Sequence, residues 1–206
     1  MTSLILVRHG EVPGITPPSF RGRQDLSLTK RGVQQAELTR DYLARILRLQ
    51  RVYASPLSRC LVTGTIIAEP HSLGSQTAEW FTDIDYGEWQ GRTFDEVQTS
   101  QPAAFAAWLR TPHLASLPGG ESLNSVAERV AQGVGALFAD HANHTIALVG
   151  HESVNRVLLL LALDLPLSRY WRIGQEPCAI SILTHREANG WVVHSMNETA
   201  HLVAVT

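Results

Sequence analysis

Several features that mark special classes of protein are scarce in this sequence. Its 206 residues include two cysteines, Cys60 and Cys178, and neither lies in a CxxC or Cys/His pattern, so neither a disulfide framework nor a structural zinc site is indicated. The formal net charge of -2 leaves no basic excess for a nucleic-acid surface. No apolar run approaches the ~20 residues of a membrane span, and the N-terminus lacks a signal-peptide pattern. We therefore expect a cytoplasmic protein without nucleic-acid or membrane partners.

The composition that is present is that of an ordinary globular domain. Hydrophobic residues make up 44% of the chain and charged residues 17%, which is enough apolar material for one sizeable core. Apolar segments with strand character alternate with segments of helical periodicity, a pattern typical of an α/β fold with a mainly parallel sheet. We predict one domain over residues 1–206, with a cap-like insertion at about 92–121.

The stretch Leu4–Glu11 is the strongest single signal. Its apolar run is typical of a strand buried on both faces, and it ends in Arg8, His9 and Gly10. Polar residues at the carboxyl end of such a strand are the expected place for chemistry in an α/β sheet. The planar guanidinium of Arg8 can hold an oxyanion, and Gly10 allows the backbone to approach a ligand closely. This pattern indicates a phosphate site containing a histidine.

The same design recurs twice farther along the chain. The strand-like segment 51–54 is followed by Ser55 and Pro56, which we expect to be the N-cap and first residue of a helix that carries Arg59 in its first turn. The segment 145–149 leads to His151, with Ser153 as the expected cap of the next helix. If the strands are parallel, His9, Arg59 and His151 converge at one edge of the sheet.

Local signals also predict the other elements. They are a helix capped by Thr29 and ending near Leu49, a third strand at 76–80, two short helices between Thr93 and Leu117, a long helix from Leu123, and a final hairpin around Asn189 and Gly190.

An acidic and aromatic loop follows the expected third strand. It contains Asp83, Asp85 and Glu88 among glycines and aromatic residues, a setting that suits a general acid. Spacing alone does not separate these three carboxyl groups.

Together these residues fit phosphoryl transfer to a histidine. His9 would attack phosphorus, Arg8, Arg59 and His151 would offset the charge on the equatorial oxygens, and Asp83 would protonate the leaving oxygen. This chemistry requires neither metal nor cofactor. A rival metal site built from His9, Glu11, His151 and Glu152 is disfavoured because two arginines in the same place repel a cation.

At these positions the sequence resembles the histidine phosphatase superfamily, also called the phosphoglycerate mutase-like family. The resemblance covers most of the chain, in the family's order, and is carried by six blocks: Leu6–Glu11, Gly22 to Gly32, Ser55–Arg59, Asp83–Gly91, Gly119–Ser122 and Val149–His151.

The resemblance implies a three-layer α/β/α sandwich with a mostly parallel six-stranded sheet, helices on both faces and a small helical cap. It also implies His9 as the phosphorylated nucleophile and Arg8, Arg59 and His151 as the phosphate pocket. We add Gly10, Arg21 and Gly22 as phosphate or substrate contacts.

Three positions depart from the family pattern. The proton donor is more often glutamate where Asp83 stands, so Glu79 is kept as the alternative donor. Ile15 and Thr16 occupy the neighbourhood of a common phosphate-binding asparagine. Glu152 stands where glycine or another small residue is usual; if it points inward, it would disfavour highly anionic substrates.

Within the family, a phosphatase is favoured over a cofactor-dependent phosphoglycerate mutase. Mutases typically carry a longer insertion after the Tyr-Gly segment, and the stretch from Gly91 to Gly119 is short. The expected partner is a small phosphomonoester with an apolar or mixed leaving group. A non-catalytic phosphate-binding protein remains an alternative, and a homodimer formed through the cap or the final hairpin stays open.

Overall fold

Strands and helices alternate along most of the chain. The computed structural model describes residues 1–205. Its strands are β1 (Thr2–Arg8), β2 (Arg51–Ala54), β3 (Ser75–Thr77), β4 (Thr145–Gly150), β5 (Ile180–Arg186) and β6 (Gly190–Glu198). Its α-helices are α1 (Lys30–Ile46), α2 (Ser58–Ala68), α3 (Phe94–Ser100), α4 (Pro102–Arg110), α5 (Leu123–Asp140) and α6 (Glu152–Ala162), and short 3₁₀ turns cover 69–71, 79–81, 87–89, 167–172 and 200–205.

The strands form one sheet in the order β3-β2-β4-β1-β5-β6. Strands β3, β2, β4 and β1 pair in parallel, whereas β5 is antiparallel to both β1 and β6. The α/β class is confirmed, but the expectation of a mostly parallel sheet is corrected to a mixed one. The tight turn of the final hairpin makes β5 and β6 antiparallel to each other. Strand β5 also runs antiparallel to β1, from which it is distant in sequence.

Strand β1 lies inside this sheet and packs on both faces. Leu4 and Leu6 join an apolar cluster with residues of α5 and α6, and Ile5 and Val7 join a second cluster with residues of α1 and α2. Successive side chains of a strand point to opposite faces, so a run of four apolar residues serves two cores. The continuous apolar pattern of β1 is thus explained by the two apolar clusters that its side chains join.

Two of the three predicted helix caps are not caps. Thr29 caps α1 as expected, accepting a hydrogen bond from the backbone of Gly32. Helix α2, however, begins three residues after Ser55, with Leu57 at the N-cap, and α6 begins one residue before Ser153, with His151 at the N-cap. The Ser153 hydroxyl donates to Asp83, and the Ser55 hydroxyl bonds to His151 at 2.7 Å in addition to a longer bond of 3.5 Å from the Leu57 N–H. Both serines therefore have side-chain partners from distant segments.

The remaining elements follow the local signals with shifted ends. The third strand is shorter than predicted and ends at Thr77, because residues 79–81 form a 3₁₀ turn. The region expected to be a cap contains α3 and α4, and the Thr93 and Glu96 side chains form a capping box at the start of α3. The hairpin at Asn189 and Gly190 is confirmed. Within residues 1–205, no helix combines the length and apolar character needed to cross a bilayer.

Candidate active site

A cavity of about 300 Å³ opens near the carboxyl ends of β1 and β4. These strands are parallel neighbours with Arg8 opposite Gly150, so the residues that follow them lie side by side. The residues lining the cavity are Arg8, His9, Ile15, Pro18, Ser19, Arg21, Gly22, Asp83, Tyr86, Phe94, Glu152, Ser153, Arg156, Tyr170, Trp171, Gly174, Gln175, Glu176 and Pro177.

His9 lies in the cavity wall with 2% of its surface exposed. Its Nδ1 is 2.7 Å from the carbonyl oxygen of Gly10, and a carbonyl can only accept, so Nδ1 carries the proton and Nε2 has the lone pair. Burial, reinforced by His151 and Arg59, holds the pKa of His9 well below its usual value. The ring is therefore neutral at pH 7, which is the state a nucleophile needs.

His151 lies directly behind His9, with the two ring centroids 5.2 Å apart. Its Nδ1 accepts a hydrogen bond from Arg59 Nε at 3.2 Å, and its Nε2 is 2.7 Å from the hydroxyl oxygen of Ser55. The proton therefore sits on Nε2 and points to Ser55. Burial and the nearby Arg59 keep the pKa of His151 well below its usual value.

Arg59 is fully buried, and its side chain bonds to four groups within residues 1–205. Its guanidinium donates to the carbonyl oxygens of Gln24 at 2.6 Å and Gly22 at 2.7 Å, and its Nη2 is 3.1 Å from Asp83 Oδ2. Helix α2 supplies this arginine from its first turn, as predicted. Neither Arg59 nor His151 lines the cavity itself, so both lie one layer behind its wall.

Arg8 enters the cavity from the end of β1, and its side chain is 5% exposed. It donates to the backbone oxygen of Gln175 and lies 3.2 Å from a carboxylate oxygen of Glu152. Within residues 1–205, its Nε has no hydrogen-bond partner. A buried donor without a partner costs free energy and is a ready contact for an anion. Burial lowers the pKa of Arg8 from its normal value.

Asp83 is brought to the cavity beside His151, and 7% of it is exposed. Its Oδ1 accepts from the hydroxyl of Ser153 and the backbone N–H of Ile84, while Oδ2 faces Arg59. The alternative donor Glu79 is exposed and does not line the cavity.

The other acidic candidates point elsewhere. Asp85 accepts from the backbone of Gly87 and pairs with Arg23 at 3.5 Å, and Glu88 is not among the lining residues. The structure thus distinguishes Asp83, which lines the cavity, from Asp85 and Glu88, which sequence spacing could not exclude.

The three predicted contact residues, Gly10, Arg21 and Gly22, have different surroundings. A Cβ on Gly10 would lie 2.3 Å from the carbonyl oxygen of Gly32, so a close backbone approach explains this glycine. Arg21 and Gly22 line the cavity, and Gly22 has a positive φ of 48°. The loop between β1 and α1 therefore closes one side of the cavity.

Glu152 points into the cavity. Its carboxylate is 3.2 Å from Arg8, 2.7 Å from Arg156 and 3.8 Å from Arg21. The sequence left open whether Glu152 points inward, and in the structure it does, with 32% of its side chain exposed.

Sequence reasoning missed several residues that position this site. Arg129 donates to the Glu121 carboxylate at 2.8 Å and to the backbone oxygens of Trp80 and Thr82. These bonds fix the loop before Asp83. The fold brings further side chains of this kind from separate segments, and they are Ser55, Ser153 and Arg156. Ser55 and Ser153 were predicted only as helix caps, so their bonds to distant side chains were missed. The spacing of four residues between Glu152 and Arg156 is that of a helical ion pair.

The residues of the rival metal hypothesis do not form one ligand set. The Glu11 carboxylate turns to Thr29 at 2.9 Å and Arg31 at 3.3 Å, and Glu152 is bound to arginines. Within the described chain, no group of three or more histidine, cysteine or acidic side chains has the arrangement of a metal site. Burial raises the pKa of the Cys60 thiol far above its usual range and that of Cys178 to about 12, so neither is a reactive thiolate at pH 7.

Comparison with known proteins identifies the family. The family model described as histidine phosphatase superfamily (branch 1) matches residues 4–199. The chain belongs to this superfamily. The family predicted from the six sequence blocks is confirmed.

Relatives of the chain within the histidine phosphatase superfamily include phosphatases and mutases by name. Phosphoserine phosphatase 1 of Hydrogenobacter thermophilus is 34% identical over 202 residues, covering 98% of this chain and 95% of the relative. A probable phosphoglycerate mutase of Erwinia tasmaniensis is 28% identical over 206 residues, covering 98% and 95%. The solved structure of Bacillus stearothermophilus YhfR has a TM-score of 0.92 at 27% identity and covers 98% of this chain and all of that one. The family and the relative named phosphoserine phosphatase support the predicted phosphatase.

Proposed function

We propose that this protein is a metal-independent phosphomonoester hydrolase that acts through a phosphohistidine at His9. The single observation that carries the proposal is the state of His9: a buried, neutral ring whose Nδ1 proton is fixed on the Gly10 carbonyl, which leaves Nε2 as the nucleophilic atom beside an arginine-lined cavity.

In the first step, His9 Nε2 attacks the phosphorus of the ester in line with the leaving oxygen. The new N–P bond forms as the P–O ester bond breaks, and Asp83 gives its proton to the leaving oxygen. Charge on the equatorial oxygens is offset by Arg8, whose Nε is a buried donor lacking a partner within residues 1–205. Gly10, Arg21 and Gly22 are proposed as phosphate or substrate contacts; Arg21 and Gly22 line the cavity, whereas Gly10 follows His9 outside its lining.

Arg59 and His151 complete the phosphate pocket in this proposal. Both face Asp83, at 3.1 and 3.5 Å from its Oδ2. While Asp83 carries the proton that it gives to the leaving oxygen, it attracts Arg59 less strongly, and the guanidinium is free to bind the phosphate.

In the second step, Asp83 acts in the opposite sense. As a carboxylate it takes a proton from a water molecule, which attacks the phosphohistidine, breaks the N–P bond and releases inorganic phosphate. His9 returns to its neutral state. Each step needs only groups supplied by this chain and water.

The domain arrangement is part of the same proposal. We infer one domain over residues 1–206 in a three-layer form, supported by the two apolar clusters on opposite faces of the sheet. The segment 92–121, with α3 and α4, is proposed as a cap, because Phe94 lines the cavity. A cytoplasmic location remains a proposal from the sequence.

The test is hydrolysis of para-nitrophenyl phosphate in excess chelator, combined with trapping of the phosphoenzyme under alkaline quench. We expect turnover by the wild type, no phosphoenzyme in His9→Ala, and a kcat lowered by about 10²–10⁴ in Asp83→Asn. His144→Ala is the matched control, because His144 precedes β4 at the end of that strand away from the cavity.

Other outcomes point to the alternatives. A wild type that hydrolyses nothing but isomerises phosphoglycerate when primed with a bisphosphate would be a mutase. One that binds phosphate without forming a phosphoenzyme would be a non-catalytic binding protein. Activity that requires an added divalent ion would refute the mechanism.

A further inference from the structure

Glu152 places a carboxylate inside a cavity otherwise rich in arginine. Three guanidinium groups converge on it: Arg8 at 3.2 Å, Arg156 at 2.7 Å and Arg21 at 3.8 Å. Arg8 belongs to the proposed phosphate site, so the carboxylate lies next to the place where the ester's phosphate would bind. The proposed phosphoryl chemistry assigns no task to Glu152.

Contacts of Arg156 hold this arrangement in place. Arg156 Nε donates to the backbone oxygen of Ile173 at 2.7 Å, and its guanidinium lies 5.2 Å from the ring centroid of Tyr170 and 5.0 Å from that of Trp171. Stacking and hydrogen bonding restrict the guanidinium to one orientation. Glu152 is four residues earlier on α6 and is therefore bound to a fixed partner.

The charge balance of the cavity depends on this carboxylate. Without it, Arg21 and Arg156 would present positive charge beside the phosphate, which suits a second anionic group on the substrate. With it, these cations are already paired, and the part of Glu152 that stays exposed presents negative charge to the leaving group. An anion brought close to it is repelled at short range and in a partly desolvated place.

The rest of the wall fits a leaving group without negative charge. Ile15, Tyr86 and Phe94 line the same cavity. Apolar and aromatic surfaces contact neutral groups well, and aromatic faces also accept cations.

We propose that Glu152 is a specificity-determining residue: its carboxylate selects phosphomonoesters whose leaving group is neutral or cationic and rejects those that carry a second anionic group near the ester oxygen. This inference rests on the proposed function of the site.

Three small esters of similar size test the idea: propyl phosphate, O-phosphoethanolamine and 2-phosphoglycolate, whose leaving groups are neutral, cationic and anionic. We expect the wild type to show its lowest kcat/KM with 2-phosphoglycolate. In Glu152→Gln, the ratio of kcat/KM for 2-phosphoglycolate to that for O-phosphoethanolamine should rise at least about tenfold, which corresponds to about 1.4 kcal/mol. Glu152→Gly, which restores the small residue common in the family, should shift it in the same direction.

Glu176→Gln is the matched control. Glu176 also lines the cavity, and its mutation to glutamine removes the same charge. In contrast to Glu152, it is exposed and takes part in none of the ion pairs of residues 1–205. Its ratio should stay within about threefold of the wild type. If Glu176→Gln shifts the ratio as much as Glu152→Gln, or if Glu152→Gln and Glu152→Gly leave it unchanged, the proposal is wrong.

Calorimetric binding separates this inference from the proposed function. Affinities of the three esters for His9→Ala, with and without Glu152→Gln, report selectivity in a protein that does not turn over. Absence of hydrolysis by the wild type would count against the proposed function, while the binding ratio would still decide the role of Glu152: a shift toward 2-phosphoglycolate supports it, and no shift overturns it.

Discussion

Some side chains in this site make contacts that their neighbours in the sequence do not predict. Ser153 lies in the first turn of α6, where serine is expected to bond to its own backbone, but its hydroxyl donates to Asp83 Oδ1 instead. Together with the Ile84 N–H and Arg59, it fixes both oxygens of the proposed proton donor. A donor that transfers a proton must be held in one orientation.

We therefore expect Ser153→Ala to lower kcat for para-nitrophenyl phosphate about tenfold, the effect of one lost hydrogen bond, with a smaller change in KM. The measurement is steady-state kinetics, checked by a thermal unfolding curve to show that the variant is folded. Ser125→Ala is the control, since among residues 1–205 that hydroxyl bonds only to the Ser122 hydroxyl at the exposed start of α5. A KM effect larger than the kcat effect would show that Ser153 serves binding and not the orientation of Asp83.

At the scale of elements, helix α5 supports the loop that carries Asp83. Gly133 lies on its buried side, where an added Cβ would be 1.9 Å from the Trp80 ring, whereas a Cβ on Gly135 would meet no atom of residues 1–205 within 4 Å. Arg129, one turn earlier, bonds to the backbone of residues 80 and 82. Helix α5 and the loop therefore pack closely where Gly133 meets Trp80, and only a glycine leaves room for the ring.

Two glycine-to-alanine variants of α5 should consequently change stability in opposite directions. Gly133→Ala forces Trp80 to move and should lower the free energy of unfolding by about 1–3 kcal/mol. Gly135→Ala should raise it by up to about 1 kcal/mol, because alanine favours the helix over glycine. Chemical denaturation of both variants measures the difference, and equal effects would refute the packing argument.

At the scale of the whole molecule, the buried histidines link folding to pH. Burial, His151 and Arg59 lower the pKa of His9 in the folded state, and burial and Arg59 lower that of His151. In the unfolded chain both titrate near the ordinary value of about 6.5. Below that pH the unfolded state binds more protons, so stability falls as the pH falls.

We expect the free energy of unfolding to decrease between pH 7.5 and 5.5, with each of these histidines contributing up to about 1.4 kcal/mol per pH unit. Denaturant unfolding at a series of pH values measures the slope. His9→Asn removes one such group and should give a shallower slope, whatever its effect on stability at pH 7.5. An unchanged slope in that variant would show that His9 titrates alike in the folded and unfolded states.

The sequence by itself determined what depends on neighbours along the chain. The apolar run of β1, the Thr29 cap and the Asn189 and Gly190 turn were all predicted, because burial pattern, capping and turn formation are properties of a few consecutive residues. The convergence of His9, Arg59 and His151 was also predictable, since each follows a strand and parallel strands end at the same edge.

Tertiary structure alone decided what depends on contacts between distant segments. Strand β5 runs antiparallel to β1, and this pairing joins segments far apart in the sequence, so no local pattern predicted it. Ser55 and Ser153 are not the helix caps that the sequence predicted. Ser55 bonds to His151, 96 residues away, and Ser153 bonds to Asp83, 70 residues away. The inward turn of Glu152 likewise required arginines from β1 and from the loop that follows it, and only the folded chain places those charges within reach of its carboxylate.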